Sequence, residues 1–154
     1  MDEKQKELLE GFFNTAQLML AKDGKVKPLY ILIKEQNAMP VFYEGQMTTE
    51  EYANTVTEIA YEQNMDAAIL ICEQNMVRGH KDAPEMQPYI SGEKGVKEHP
   101  DCKSYLMGCF MTAEGEYETM IAEIHTELSK GTKYVFEPEW IDDTQTNYLV
   151  AWRK

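Results

Sequence analysis

Two apolar runs, Ala67–Cys72 and Tyr105–Met111, are separated by a stretch with no secondary-structure period. Val77–Lys103 reads VRGHKDAPEMQPYISGEKGVKEHPDCK, showing neither the alternation of a strand nor the 3.6-residue recurrence of a helix. It holds three prolines, three glycines, two of the three histidines and one of the three cysteines. Connections in compact domains run to about 4–6 residues, and a structureless one beyond about 15 is usually functional or disordered. The sheet is therefore expected to be built on either side of this excursion. A site, if the chain has one, is expected where the excursion meets Glu73.

The 154 residues suit one domain, 1–154, with an apolar share of 43% able to fill a core. No apolar run approaches the roughly 20 residues that span a bilayer, so no membrane segment is expected. The first residues, MDEKQKELLE, carry charge throughout and lack the apolar region of a signal peptide. Cys72, Cys102 and Cys109 cannot all pair within one chain, and two of them sit in apolar strand candidates. Together these features predict a reducing cytoplasm and no disulfide framework.

Residues Glu3–Ala21 place Leu8, Leu9, Phe12, Phe13, Ala16, Met19 and Leu20 on one helical stripe, with Asp23-Gly24 as the stop. Pro28–Lys34 and Ala38–Tyr43 predict a hairpin turning at Glu35-Gln36-Asn37, with Pro40 at an edge or bulge. Thr48 and Glu51 form a capping-box signature for a helix over Thr48–Gln63. Tyr52, Val56, Ile59, Ala60 and Gln63 are expected inward, and Glu51, Glu58 and Glu62 outward, with no lysine among them.

Asp66–Asn75 predicts a buried strand with a continuous apolar run. With the preceding helix and strand it suggests a β-α-β unit of two parallel strands joined by a right-handed crossover. A second hairpin is expected from Ser104–Thr112 and Tyr117–Thr126 around Ala113–Glu116. Two further strands are expected at Lys133–Glu137 and Asn147–Arg153, flanking Pro138–Asp143. The sum is an α+β fold: a mixed sheet of about seven strands with two helices on one face.

The net charge is −12, spread as −5 over residues 1–62, −3 over 63–102 and −4 over 103–154. The acidity thus belongs to the folded surface. It argues against direct nucleic-acid binding, whose affinity comes from cationic contacts to phosphate. It fits a basic protein partner, mimicry of nucleic acid, or simple solubility.

Each candidate chemistry stands beside a plainer alternative. His99 and Cys102, with His80, offer three zinc ligands, but a structural site usually brings two close pairs and only one exists here; His125 would join only by folding. No metal and no cofactor is therefore expected. Cys102 with His99 or His80 would make a nucleophile and base, but Glu98 and Asp101 disfavour a thiolate and no family signature surrounds the cysteine.

Glu73, followed by Arg78 and His80, sits at a strand end where residues often line clefts; alternatively it pairs with Arg78 or caps a loop amide. Ser91–Gly95 lacks the P-loop pattern, and no Gly-x-Gly-x-x-Gly, nucleophile elbow or His-Glu-x-x-His occurs. The ten methionines, Met107, Met111 and Met120 among them, read chiefly as core filler, although Met-rich surfaces bind adaptably. Trp140, in Glu137-Pro138-Glu139-Trp140-Ile141-Asp142-Asp143, is either an exposed binding anchor or a cover for the end of the sheet.

The stretch NMDAAILICE, Asn64 to Glu73, preceded by the helix Thr48–Gln63, resembles a loose set of small bacterial and phage proteins of unassigned function. Where those proteins carry an aromatic residue soon after the glutamate, this chain has Gln74-Asn75-Met76. The resemblance implies the fold and a bacterial or phage setting, and no activity.

The sequence is thus read as a non-catalytic, acidic interaction protein with a protein partner, such as a basic nucleic-acid-binding protein. Its contact residues would be Glu51, Glu58, Glu62 and Trp140. The alternative is a small hydrolase or ligand-binding enzyme with Glu73, Arg78, His80 and His99 around the loop 77–103.

Overall fold

The structure, a computed structural model, describes residues 2–43, 45–77, 83–141 and 149–153. Helix α1, Glu3–Asp23, opens with a capping box in which the Asp2 side chain accepts from the Gln5 N–H and the Gln5 side chain accepts from the Asp2 N–H. It ends at Gly24, whose φ of 75° is the left-handed turn that glycine adopts without a steric cost. Strands β1 (Leu29–Lys34) and β2 (Asn37–Val41) form the expected hairpin, with Glu35 left-handed at its turn. Helix α2, Thr49–Glu62, begins at Thr48, whose Oγ accepts the Glu51 N–H at 3.0 Å.

Strand β3, Ala67–Met76, pairs with β1 on one side and with β4, Lys103–Thr112, on the other. β4 turns tightly into β5, Tyr117–Thr126. Beyond β5 lie two three-residue strands, β6 (Lys133–Val135) and β7 (Glu139–Ile141), each paired with a different part of β5. The order is β2-β1-β3-β4-β5-β6, with β7 also on β5. Among the described residues no helix is long and apolar enough to cross a membrane.

The α+β class and the strand count match the sequence-based expectation, but the mixed sheet does not. Every described pairing is antiparallel. β2 and β3 do run in the same direction on either side of α2, as the β-α-β reading required, yet β1 lies between them and pairs with both. The reason lies in the strands themselves. β1 (LYILIK) is apolar on both faces and takes an inner position. β2 carries Pro40, which has no N–H to give a second neighbour, and is held to the edge.

The two long helices also lie on opposite faces, not on one. Leu9, Phe13, Ala16 and Leu20 of α1 pack on Ile31, Ile33, Ile69, Ile71, Leu106 and Phe110. Tyr52, Val56 and Ala60 of α2 pack on the alternate residues Tyr30, Leu32, Ala68, Leu70, Met107 and Cys109. A strand buried on both faces reads as a continuous apolar run, which is what Ala67–Cys72 displays. Met107 and Met111 are core on the α2 side and Met120 on the α1 side. Leu149 and Trp152 also join the α2 side.

α1 lies close against β4 at Gly108. A Cβ there would lie 3.0 Å from Leu9 Cδ1, 3.1 Å from Phe13 Cδ2 and 3.3 Å from Ile71 Cδ1. Of the inward stripe expected on α1, Met19 is exposed; of that on α2, Gln63 is exposed and serves as the C-cap.

Three further segments bear on the expectations. The described part of the excursion between β3 and β4, from residue 83 on, is a chain of short turns: a 3₁₀ turn at Pro84–Met86, a one-turn helix α3 at Gln87–Ile90, and a 3₁₀ turn at Val96–Glu98. Local bonds hold it, among them Lys94 N–H to Pro88 O at 2.9 Å and Gly95 N–H to Glu98 Oε2 at 2.6 Å. Its ends are adjacent, because Met76 pairs with Lys103. Secondly, Glu139–Ile141, expected in a connector, is strand β7, because its backbone can pair with β5. Thirdly, the strand expected over Asn147–Arg153 has no counterpart among its described residues 149–153. There the chain is tied through single bonds, the N–H groups of Trp152 and Arg153 both donating to Ala113 O.

Candidate functional site

The described residues singled out by sequence fall on four elements: α2, β3, the end of the excursion, and β7. Glu51, Glu58 and Glu62 are all exposed on the outer side of α2. The last turn of that helix carries no basic residue, and no ion pair among the described residues reaches the three glutamates.

Glu73 is half-buried on the α1 side of β3, and its Oε1 accepts the Val26 N–H at 2.6 Å. That bond fastens the chain where it leaves α1, so Glu73 does cap a loop amide. Neighbouring Cys72 is buried, and its thiol is pushed up to about 12, first by burial and then by the nearby Cys109 and Glu73. Arg78 and His80 lie outside the described residues.

His99 closes the end of the excursion. Its Nδ1 accepts the Asp101 N–H at 3.0 Å and its ring meets Tyr89 edge-on at 4.7 Å. Cys102 follows, half-exposed and free. No hydrogen bond or ion pair among the described residues joins Glu73 to His99, and no group of three or more metal-ligating side chains gathers among the described residues.

Trp140 lies opposite Met120 in the β5–β7 pairing, which places it on the α1 side of the sheet, 41% exposed. It is neither fully displayed nor folded over the sheet. It forms one wall of an open groove of about 730 Å³, with Lys6, Glu116, Tyr117, Glu118 and Ile141 among the lining residues. The Lys6 ammonium stands 5.9 Å from the Trp140 ring centroid, within cation–π range.

Two clusters had no local sequence signal. On the α2 side of β5, His125 stacks on Phe136 at 3.6 Å and lies 5.8 Å from Tyr134. Its Nε2 lies 3.4 Å from Glu123 Oε1 without a hydrogen bond to it, and Glu123 pairs with Lys103 at 3.2 Å. The second cluster centres on Asp66, just before β3. Its Oδ2 accepts the Glu35 N–H at 2.8 Å and its Oδ1 accepts from Arg153 at 3.1 Å. Arg153 also bonds Asn64, which sits at φ 50°, and Trp152 Nε1 donates to Met65 O at 2.8 Å. These bonds hold residues near the C-terminal end against the start of β3. The only sequence sign is the Asn64-Met65-Asp66 turn ahead of the apolar run.

Compared with family models, with curated proteins and with solved structures, the chain matches none.

Proposed function

We propose that this chain is a non-catalytic interaction protein that offers an acidic surface to a basic protein partner. The observation that carries the proposal is the outer side of α2, where Glu51, Glu58 and Glu62 stand exposed with no described counter-ion. Such a row draws a cationic surface by long-range attraction, and it costs the fold little because the apolar side of the same helix is fully engaged. With a net charge of −12, the domain suits a partner that itself binds nucleic acid through basic residues. We read that exchange as one of a bacterial or phage setting, a reading that rests on the resemblance of Asn64–Glu73 alone.

The test is affinity capture with the wild-type chain and with a Glu51→Lys, Glu58→Lys, Glu62→Lys variant, quantified by mass spectrometry at low and physiological salt. The expected result is a basic protein retained by the wild type, weakened by salt, and lost with the variant. If the same proteins are retained by both chains, the α2 surface is not the contact.

A further inference from the structure

The groove beside Trp140 differs in kind from the glutamate row of α2. It combines a half-exposed indole face, two exposed carboxylates (Glu116 and Glu118) and an ammonium already seated over the ring. The electron-rich face of an indole attracts a cation, and Lys6 shows that this face is reachable by one from the α1 side. Glu118 alternates with Met120 along β5 and so shares that side with Trp140, which pairs with Met120. At about 730 Å³ the open groove has room for more than the Lys6 side chain that now reaches into it.

We infer that this groove binds an arginine- or lysine-rich segment of a partner protein. One cationic side chain of the segment takes the place of Lys6 over Trp140, and neighbouring ones face Glu116 and Glu118. Lys6 is then a resident competitor. It occupies the ring while the groove is empty and must swing into solvent when the segment arrives. Charge complementarity supports this occupant: the groove's lining residues include the carboxylates of Glu116 and Glu118 against the ammonium of Lys6, a net of −1 that becomes −2 once Lys6 leaves.

The test titrates a short labelled peptide of alternating arginine and glycine into the full chain, followed by fluorescence anisotropy. Lys6→Ala should tighten binding about two- to fivefold, the equivalent of one exposed cation–π contact. Lys4→Ala changes the net charge equally and is the control, expected to leave the affinity near that of the wild type. Trp140→Ala and the Glu116→Gln, Glu118→Gln pair should each weaken binding about fivefold or more, while Trp140→Phe should retain part of it. Because Trp140→Ala also removes edge packing, the Lys6 and Phe variants carry the test if that variant fails to fold.

Equal effects of Lys6→Ala and Lys4→Ala would overturn the inference, as would a folded Trp140→Ala chain that binds like the wild type. Displacement of the peptide by an equimolar amount of spermine would show a site for free polycations and overturn the assignment to a protein segment. The groove is on the α1 side and the glutamate row on the α2 helix. Loss at one surface is therefore separable from loss at the other.

Discussion

The Tyr52 hydroxyl accepts the backbone N–H of Tyr30 at 2.9 Å, while the two rings meet edge-on at 5.0 Å. The same hydroxyl donates to Val41 O, so one side chain of α2 joins β1 and β2 at the open end of their hairpin. Tyr43 also meets the Tyr52 ring edge-on, at 5.3 Å, and its hydroxyl donates to Met47 O, fixing the entry to α2. Burial raises the Tyr52 pKa above the usual tyrosine value, partly offset by the Tyr30 N–H, so the phenol stays protonated in the folded chain.

Tyr52→Phe keeps the packing and removes both bonds. It takes away the bond that the buried Tyr30 N–H gives to this hydroxyl and the one that the part-buried Val41 C=O accepts from it, which costs about 1–3 kcal/mol. Urea unfolding should show a lower midpoint with an unchanged slope. An unchanged midpoint would mean that other groups satisfy Tyr30 and Val41.

Asp66 sets an acid-side dependence. Its carboxyl is held below the usual 3.8, first by the Glu35 N–H and then by the Arg153 guanidinium. A depressed folded value contributes stability that is complete above the unfolded value and is lost as pH falls through the folded one. The contribution is small because the side chain is about half exposed and screened by solvent. Asp66→Asn should therefore be less stable than the wild type at neutral pH, with the gap closing below about pH 4. Urea midpoints between pH 7 and 2 measure this; parallel profiles for the two chains would show that Asp66 is not coupled to folding.

The three thiols should separate by reactivity. Cys72 and Cys109 are buried, with the Cys72 thiol pushed up to about 12, whereas Cys102 is half-exposed at the end of the excursion. Reaction follows thiolate availability and access. A chromogenic disulfide reagent at mildly alkaline pH should release one fast equivalent from the native chain and three after denaturation. Cys102→Ser should abolish the fast phase. A fast phase that survives this change would place an accessible thiol inside the sheet.

Local devices were legible in the sequence, and long-range ones were not. The Thr48–Glu51 cap, the Gly24 stop and both hairpin turns are read from neighbours along the chain, and each is present. The continuous apolar run Ala67–Cys72 carried the information that both sheet faces are covered, but placing both helices on one face ignored it. Strand order was hidden because no residue in β1 states whether its second neighbour is β3. A three-residue strand such as β7 shows no period at all. The same limit applies to the sites. Glu73 finds its partner Val26 47 positions away, and Lys6 meets Trp140 across nearly the whole chain; neither spacing has a local signature.

The contact of α1 with β4 at Gly108 offers a sharp test of the packing. Gly108 stands in β4 directly under Leu9 and Phe13, where an added Cβ would lie 3.0 Å from Leu9 Cδ1 and 3.1 Å from Phe13 Cδ2. Glycine is otherwise a poor strand residue, so its presence at an inner position marks a site where another element comes close. Gly108→Val would push branched methyls into this contact and cost about 1–3 kcal/mol through overpacking, read as a lowered thermal midpoint. Leu9→Ala alone should cost about 2–5 kcal/mol, because it empties a fully buried position. The two changes touch the same space, so their combination should cost less than the sum, with a coupling of at least about 0.5 kcal/mol. Strict additivity would mean that Leu9 does not rest on Gly108 and that α1 crosses β4 elsewhere. A coupling of the expected sign would fix the helix on the sheet at the level of single methyl groups.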